Sequence, residues 1–172
     1  PGDAPDVLVA MNPAALKVHL RDLAPGGVII VNEGAFNARN IEKAGYKSNP
    51  LEDGTVEAHR VISIDISKMT VAAVEGIDIS SKEALRAKNL WTLGLLCWMY
   101  DRDRQPTVDW LNTRFAKLPE IAKANIAALN AGHAYGETAE LPSEITTYIV
   151  PKASAKPGVY RAVTGIETTA WG

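Results

Sequence analysis

An open, mostly parallel α/β sheet of the Rossmann-like kind, with a helical C-terminal half, is the fold class that the sequence predicts. Three observations point to it. Short apolar segments, "VLVAM", "VIIVN" and "HRVISI", alternate with helical patterns in the first part of the chain, the order expected of βαβ units. The second of them is apolar at successive positions rather than at alternate ones, as in a parallel strand covered on both faces. From Ser80 onward the pattern turns to helix starts and stops.

Taken in order, Val7 to Met11 reads as a strand that runs directly into a helix from Pro13. Proline suits the first helical position, where its missing N–H would have made no bond. Asn12 is placed as the cap, its side-chain oxygen able to accept a free amide of the first turn. Leu16, Leu20 and Leu23 share a face, and "PGG" at 25–27 stops the helix. "VIIVNEG" is the second strand. A short helix around Arg39 to Ala44 and a loop through "SNPLEDGT" lead to the third strand in "HRVISIDIS", after which Ser67 is expected to cap a helix from Lys68 to Glu75. Because the chain opens on a strand, the sheet is expected to be incomplete at its N-terminal side, with any glycine-rich phosphate loop upstream of Pro1.

Ser80 and Glu83 have the spacing of a capping box, and the helix they open is expected to continue through "LRAKNLWTLGLLCWMY". From Leu90 to Tyr100 only Thr92 and Gly94 interrupt the apolar series, so this helix must be covered on nearly every side. The run falls short of the roughly twenty apolar residues that cross a bilayer. Its cover is therefore expected to be protein: the rest of this domain, and a partner or second copy approaching at Gly94, which implies an oligomer. Pro106 is expected to block continuation, Thr107 to cap a helix with Trp110, Leu111 and Phe115, and a further helix from Leu118 to carry Ile121, Ile126 and Leu129 and stop at Gly132. Residues 138–158, with Pro142, Pro151 and Pro157, read as an extended linker between an α/β domain at 1–137 and a terminal segment at 159–172.

A chain of 172 residues with a formal charge of −2 suits one domain and gives no electrostatic reason to expect nucleic acid or an anionic membrane. The single cysteine, Cys97, rules out an internal disulfide and any thiolate cluster within the chain. It suits a reducing, cytoplasmic setting. His19, His59 and His133 lack metal-ligand spacing, so no metal site is expected. Open α/β sheets bind ligands at the carboxyl ends of their strands, here marked by Asn12, Asn32, Glu33 and Asp65. Asn12 and Asn32 are candidate coenzyme contacts, although asparagine in these places also caps helices. Lys88 and Asn89, just ahead of the apolar run, are candidates for a coenzyme phosphate or simply begin the buried helix.

"VLVAMNPAAL", "KNLWTLGLLCWMY", "RFAKLPEIAKANIAALNAGHAYGET" and the closing "YRAVTGIETTAWG" together resemble the gamma domain of the 2-oxoacid:ferredoxin oxidoreductases, most of all the 2-oxoglutarate type with gamma and alpha portions fused in one chain. The resemblance runs along essentially the whole sequence. Its last segment resembles the opening of the alpha portion, where the family usually reads "TGNEATAWG", so Ile166 stands in place of Asn and Thr168 in place of Ala. The resemblance implies oxidative decarboxylation of a 2-oxoacid to an acyl-coenzyme A with electrons passed to ferredoxin. It implies thiamine diphosphate with Mg and an iron-sulfur cluster in the complete enzyme, with the alpha portion, the beta subunit and ferredoxin as partners. One cysteine cannot hold a cluster that needs several thiolates, so this chain is expected to be inactive alone and to serve as architecture, with coenzyme A as its one expected ligand. The alternative is a stand-alone Rossmann-like module that binds a nucleotide or coenzyme without redox chemistry.

Overall fold

In a computed structural model that describes residues 4–139, 141, 158 and 159, three strands run parallel in the order in which the chain makes them. β1 is Val7–Ala10, β2 is Val28–Asn32 and β3 is Arg60–Ile64. Val9 lies beside Ile30, and Ile30 beside Ile62. Every residue of β2 is buried, which is why its sequence shows no alternation. Val28 and Ile30 join Ile62 and Ile64 under one helical layer, while Ile29 and Val31 meet Leu16, Leu23, Phe36 and Val56 on the other face. Each such side chain taken fully from water is worth about 1.5–3 kcal/mol before conformational entropy is counted.

α1, Pro13–His19, begins as the sequence predicts: Asn12 Oδ1 accepts from the Ala15 amide at 2.9 Å and Pro13 opens the first turn. A 3₁₀ turn at Leu20–Asp22 carries the chain on to β2. α2, Ala38–Lys43, is capped by Asn37. The helix after β3 differs from expectation at its start. α3 is Ile66–Ala73, and its cap is Asp65, whose Oδ1 accepts from the Lys68 amide at 3.0 Å. Ser67 lies inside the first turn, because its amide and hydroxyl are both engaged by the side chain of Asn32.

The capping box of Ser80 and Glu83 is present, but the long helix it opens is divided. α4, Ser81–Arg86, ends at Ala87, and α5, Lys88–Met99, starts afresh. The Ala87 amide donates to both Ala84 and Glu83, and the residue is only 1% exposed, so the turn is tightened where it meets the core. α5 ends in a Schellman arrangement: the Arg102 amide returns to the Cys97 carbonyl at 2.7 Å and that of Asp101 to Trp98 at 3.2 Å, with Asp101 left-handed at φ 48°. α6, Gln105–Arg114, includes Pro106 in its first turn rather than starting beyond it, since proline costs no bond there. Thr107 is inside this helix and does not cap it. Instead, Asp103 Oδ1 accepts from the Gln105 amide at 2.9 Å.

α7, Pro119–Thr138, is 20 residues long and passes straight through Gly132, which is not a stop. Gly132 and Gly94 form the crossing of α7 and α5. A Cβ on Gly132 would lie 2.7 Å from the Trp91 carbonyl carbon, and one on Gly94 would lie 2.9 Å from that of Leu129. Backbone meets backbone there, so the close approach expected of Gly94 is made within the chain. Trp91, Leu95 and Met99 are wholly buried, while Leu93 remains 38% exposed. Trp91 packs on Tyr135 with ring centroids 5.2 Å apart. Apart from Thr138, Ala139, Leu141, Gly158 and Val159, the linker expected at 138–158 and the terminal segment at 159–172 lie outside the described residues.

Candidate functional site

The carboxyl ends of the three strands open onto a rim with clefts of different character. At the end of β1, Met11, Asn12, Ala35, Asn40, Lys43 and Lys88 are among the residues lining a cleft of about 390 Å³. Two lysines line it, and no carboxylate does. Between the ends of β2 and β3 lies a second cleft of about 580 Å³ whose charged residues are Glu33, Glu52 and Asp65, with no base. A third, about 780 Å³, is an apolar groove between α3 and α4 floored by Val74, Ile77, Ile79 and Ala84.

Two of the four sequence-predicted contacts meet in the first cleft. Asn12 is exposed, and Lys88 is half-buried in the first turn of α5. Asn12 is both a helix cap and a cleft residue: its oxygen is spent on Ala15, which fixes the orientation of the amide and leaves Nδ2 as a donor. Asn32 is not among the residues lining that cleft. It is 1% exposed, and its side chain donates to Ser67 Oγ at 3.0 Å and accepts from the Ser67 amide at 3.2 Å, tying the end of β2 to the start of α3. Asn89 is exposed beside Lys88 but does not line the cleft.

Lys43 and Asn40 were absent from the sequence reading. α2 is short, and nothing in "ARNIEK" marks one face as a ligand face; only the return of α2 toward Asn12 places them. Asn40 Nδ2 donates to the Ala35 carbonyl at 2.9 Å. Behind them Lys17 closes the end of α2, its Nζ donating to the carbonyls of Ala44 and Gly45 at 3.0 and 2.8 Å and lying 4.9 Å from the ring centroid of Tyr46. Burial, with Asp53 adding to it, pushes the Tyr46 hydroxyl above its ordinary 10.0.

An iron-sulfur cluster does not fit the described residues. Among them no group of three or more His, Cys, Asp or Glu could hold a metal ion. Cys97 is buried and alone, and burial pushes its thiol above its ordinary 9.0, with Arg104 opposing and Asp103 adding to the rise. That is the reverse of a ligating or nucleophilic thiolate. No helix among the described residues is long and apolar enough to cross a membrane.

The sequence matches the family model for pyruvate ferredoxin/flavodoxin oxidoreductase over residues 1–135. It is 48% identical over 171 residues to the 2-oxoglutarate oxidoreductase subunit KorA of Mycobacterium tuberculosis, covering 99% of this chain and 26% of that one. The chain therefore spans about a quarter of the length of this curated relative. Among solved structures it is similar to the 2-oxoglutarate:ferredoxin oxidoreductase from Magnetococcus marinus with 2-oxoglutarate, coenzyme A and succinyl-CoA bound. The TM-score is 0.60 at 20% identity, over 87% of this chain and 22% of that one, a likeness of fold.

Proposed function

Because this chain belongs to the pyruvate ferredoxin/flavodoxin oxidoreductase family, we propose that it is the gamma-type domain of a 2-oxoacid:ferredoxin oxidoreductase. The complete enzyme would convert 2-oxoglutarate and coenzyme A to succinyl-coenzyme A, with ferredoxin as electron acceptor, in the cytoplasm. The observation that carries this reading is the 48% identity, sustained along 99% of the chain, to a 2-oxoglutarate oxidoreductase subunit. It favours a part of a longer oxidoreductase over a free-standing coenzyme module.

In the complete enzyme, thiamine diphosphate with its Mg would supply the carbanion chemistry and an iron-sulfur cluster the one-electron steps. With a single buried cysteine, the described residues offer no ligand set for that cluster, so this domain's contribution lies elsewhere. Its buried β2 lies between two helical layers, and the presence of Asn12 and Lys88 in the strand-end cleft supports the approach of a coenzyme there. Asn32 positions the ends of β2 and α3, and Asn89 stands beside Lys88 on the first turn of α5. The alpha portion and the beta subunit are the partners on which activity depends.

The test is to purify the full-length polypeptide with its partner subunit and follow reduction of ferredoxin with 2-oxoglutarate or pyruvate, with and without coenzyme A. Turnover that requires 2-oxoglutarate and coenzyme A is the expected result, with none from residues 1–172 alone. A complex that oxidises pyruvate in preference, or that ignores coenzyme A, would overturn the assignment.

A further inference from the structure

Trp110, Leu118 and Val18 are large apolar side chains more than half exposed, but they line none of the three clefts described above. Apolar residues exposed singly in this way need no explanation. Val71 of α3 and Leu85 of α4 differ. They are 45% and 44% exposed, and both line the groove of about 780 Å³ between their two helices. Beneath them, Val74 and Ala84 belong to the buried core cluster, and Ile77 and Ile79 pack against it, so the groove opens onto the core itself. At its rim stand Lys68, in the first turn of α3, and Glu75, just past the end of that helix. Among the described residues, neither side chain has a hydrogen bond or ion pair. A polar rim around an apolar centre is the build of a protein interface.

We infer that this groove is a docking surface for the alpha portion of the same polypeptide, which lays an apolar segment across Val71 and Leu85. The inference rests on the functional reading for the existence of that portion. Two observations select it as the occupant. The chain spans 26% of its curated relative, so in that reading about three-quarters of the polypeptide lies outside this domain. Leu141, beyond the end of α7, packs against the same core cluster that floors the groove, so the chain leaves α7 without leaving that core. Residues 142–157 then lead to the segment that resembles the opening of the alpha portion. Even fully extended, such a stretch reaches no farther than about 60 Å. Docking of a domain on so short a tether is intramolecular, at an effective concentration on the order of millimolar. The groove asks of its occupant apolar side chains at the centre, an acid toward Lys68 and a base toward Glu75.

The experiment uses the complete oxidoreductase carrying Val71→Cys or Leu85→Cys. The rate of alkylation at the new thiol is read by peptide mass spectrometry, in the native enzyme and after unfolding in urea. Both side chains are nearly half exposed in this domain by itself, so an open groove leaves the native rate within about threefold of the unfolded one, whereas a covered groove slows it more than about tenfold. Slowing at both positions is the expected result. A photoreactive p-benzoylphenylalanine in place of Leu85 then identifies the cover, with cross-links to peptides of the alpha portion expected. A native rate close to the unfolded one at either position overturns the docking surface. Slowing at both with cross-links only to the beta subunit, to a second copy of this domain or to ferredoxin, or with none, overturns the alpha portion as its occupant. Ferredoxin reduction with 2-oxoglutarate is followed separately in the parent, so a complex without that activity refutes the functional reading while alkylation still decides whether the groove is covered.

Discussion

Gly132→Ala should destabilise the domain although alanine is the better helix former. Gly132 lies in the interior of α7, so propensity alone favours the substitution by about 1 kcal/mol. Against this, the new Cβ would stand 2.7 Å from the Trp91 carbonyl carbon and 3.1 Å from the Leu95 amide nitrogen, closer still to the Trp91 oxygen. These are backbone atoms of a neighbouring helix that cannot rotate away. To restore an ordinary contact of about 3.5–4.0 Å, α5 and α7 must part by roughly 1 Å or more, loosening dispersion contacts along the whole crossing. Overpacking of this kind costs about 1–3 kcal/mol where side chains give way, and more where backbone must. The net expectation is a loss of about 2 kcal/mol or more, or a fall in Tm of about 4–8 °C for a domain this size. Urea and thermal unfolding of the parent and of Gly132→Ala provide the measurement, with Gly136→Ala beside them as a milder case, because there the Cβ meets the Trp98 side chain. A Gly132→Ala variant as stable as the parent, or more so, would refute the reasoning and show that the two helices do not cross on these glycines.

Asn32→Ala leaves the amide and hydroxyl of Ser67 without their buried partner, which should cost about 1–3 kcal/mol in urea unfolding. A fall in coenzyme affinity with stability intact would instead make Asn32 a ligand contact. Asp101→Gly relieves a left-handed residue at the end of α5 and should stabilise by about 0.5–1 kcal/mol; a loss of stability would mean that the aspartate side chain matters more than its backbone. The carboxyl of Glu83 is held below its ordinary 4.5, first by the Ser80 hydroxyl and then by the Ser80 amide. A depressed carboxyl lends stability above its unfolded pKa and loses it as pH falls through the folded one. The stability gap between the parent and Ser80→Ala should therefore be full at about pH 7 and narrow by about pH 3, whereas a gap of constant size would separate Glu83 from the cap.

Where local chemistry decides structure, the sequence was legible. The Asn12 cap, the Pro13 start and the box of Ser80 and Glu83 each depend on neighbours within four residues, and all are present; the burial of β2 is made by distant residues, but its unbroken apolar run records it in the sequence. The misreadings share one cause. Ser67, Thr107 and Gly132 were each assigned a local role that their residue type permits, while a distant contact or a better local one decided the matter. Ser67 is engaged by Asn32 from 35 positions away. Asp103 takes the Gln105 amide at the start of α6, and Thr107 lies inside that helix. Gly132 serves a crossing that only the tertiary fold creates. The candidate site followed the same division: Asn12 and Lys88 could be named because strand ends and helix starts are visible in sequence, whereas Lys43 depends on how α2 folds back, and no periodicity records that.

The apolar run of α5 connects packing to the site. A helix with so few polar interruptions must be covered, and the cover proves to be largely its own chain: Trp91, Leu95 and Met99 are buried beneath α7, with glycines at the crossing letting the backbones touch. Such contact fixes α5 along its axis more tightly than side-chain packing alone, because backbone atoms have no rotamers with which to adapt. Lys88 stands in the first turn of this same helix, less than two turns before Gly94. The crossing therefore sets where its ammonium group stands relative to Asn12, whose own position is fixed by capping α1. Preorganised donors give up less conformational freedom on binding, which is where affinity is gained. Gly132→Ala should then weaken coenzyme A binding in the complete enzyme as well as lowering stability, although Gly132 does not line the cleft. A Gly132→Ala enzyme of reduced stability but unchanged KM for coenzyme A would separate the crossing from the site and leave α5 a purely structural helix.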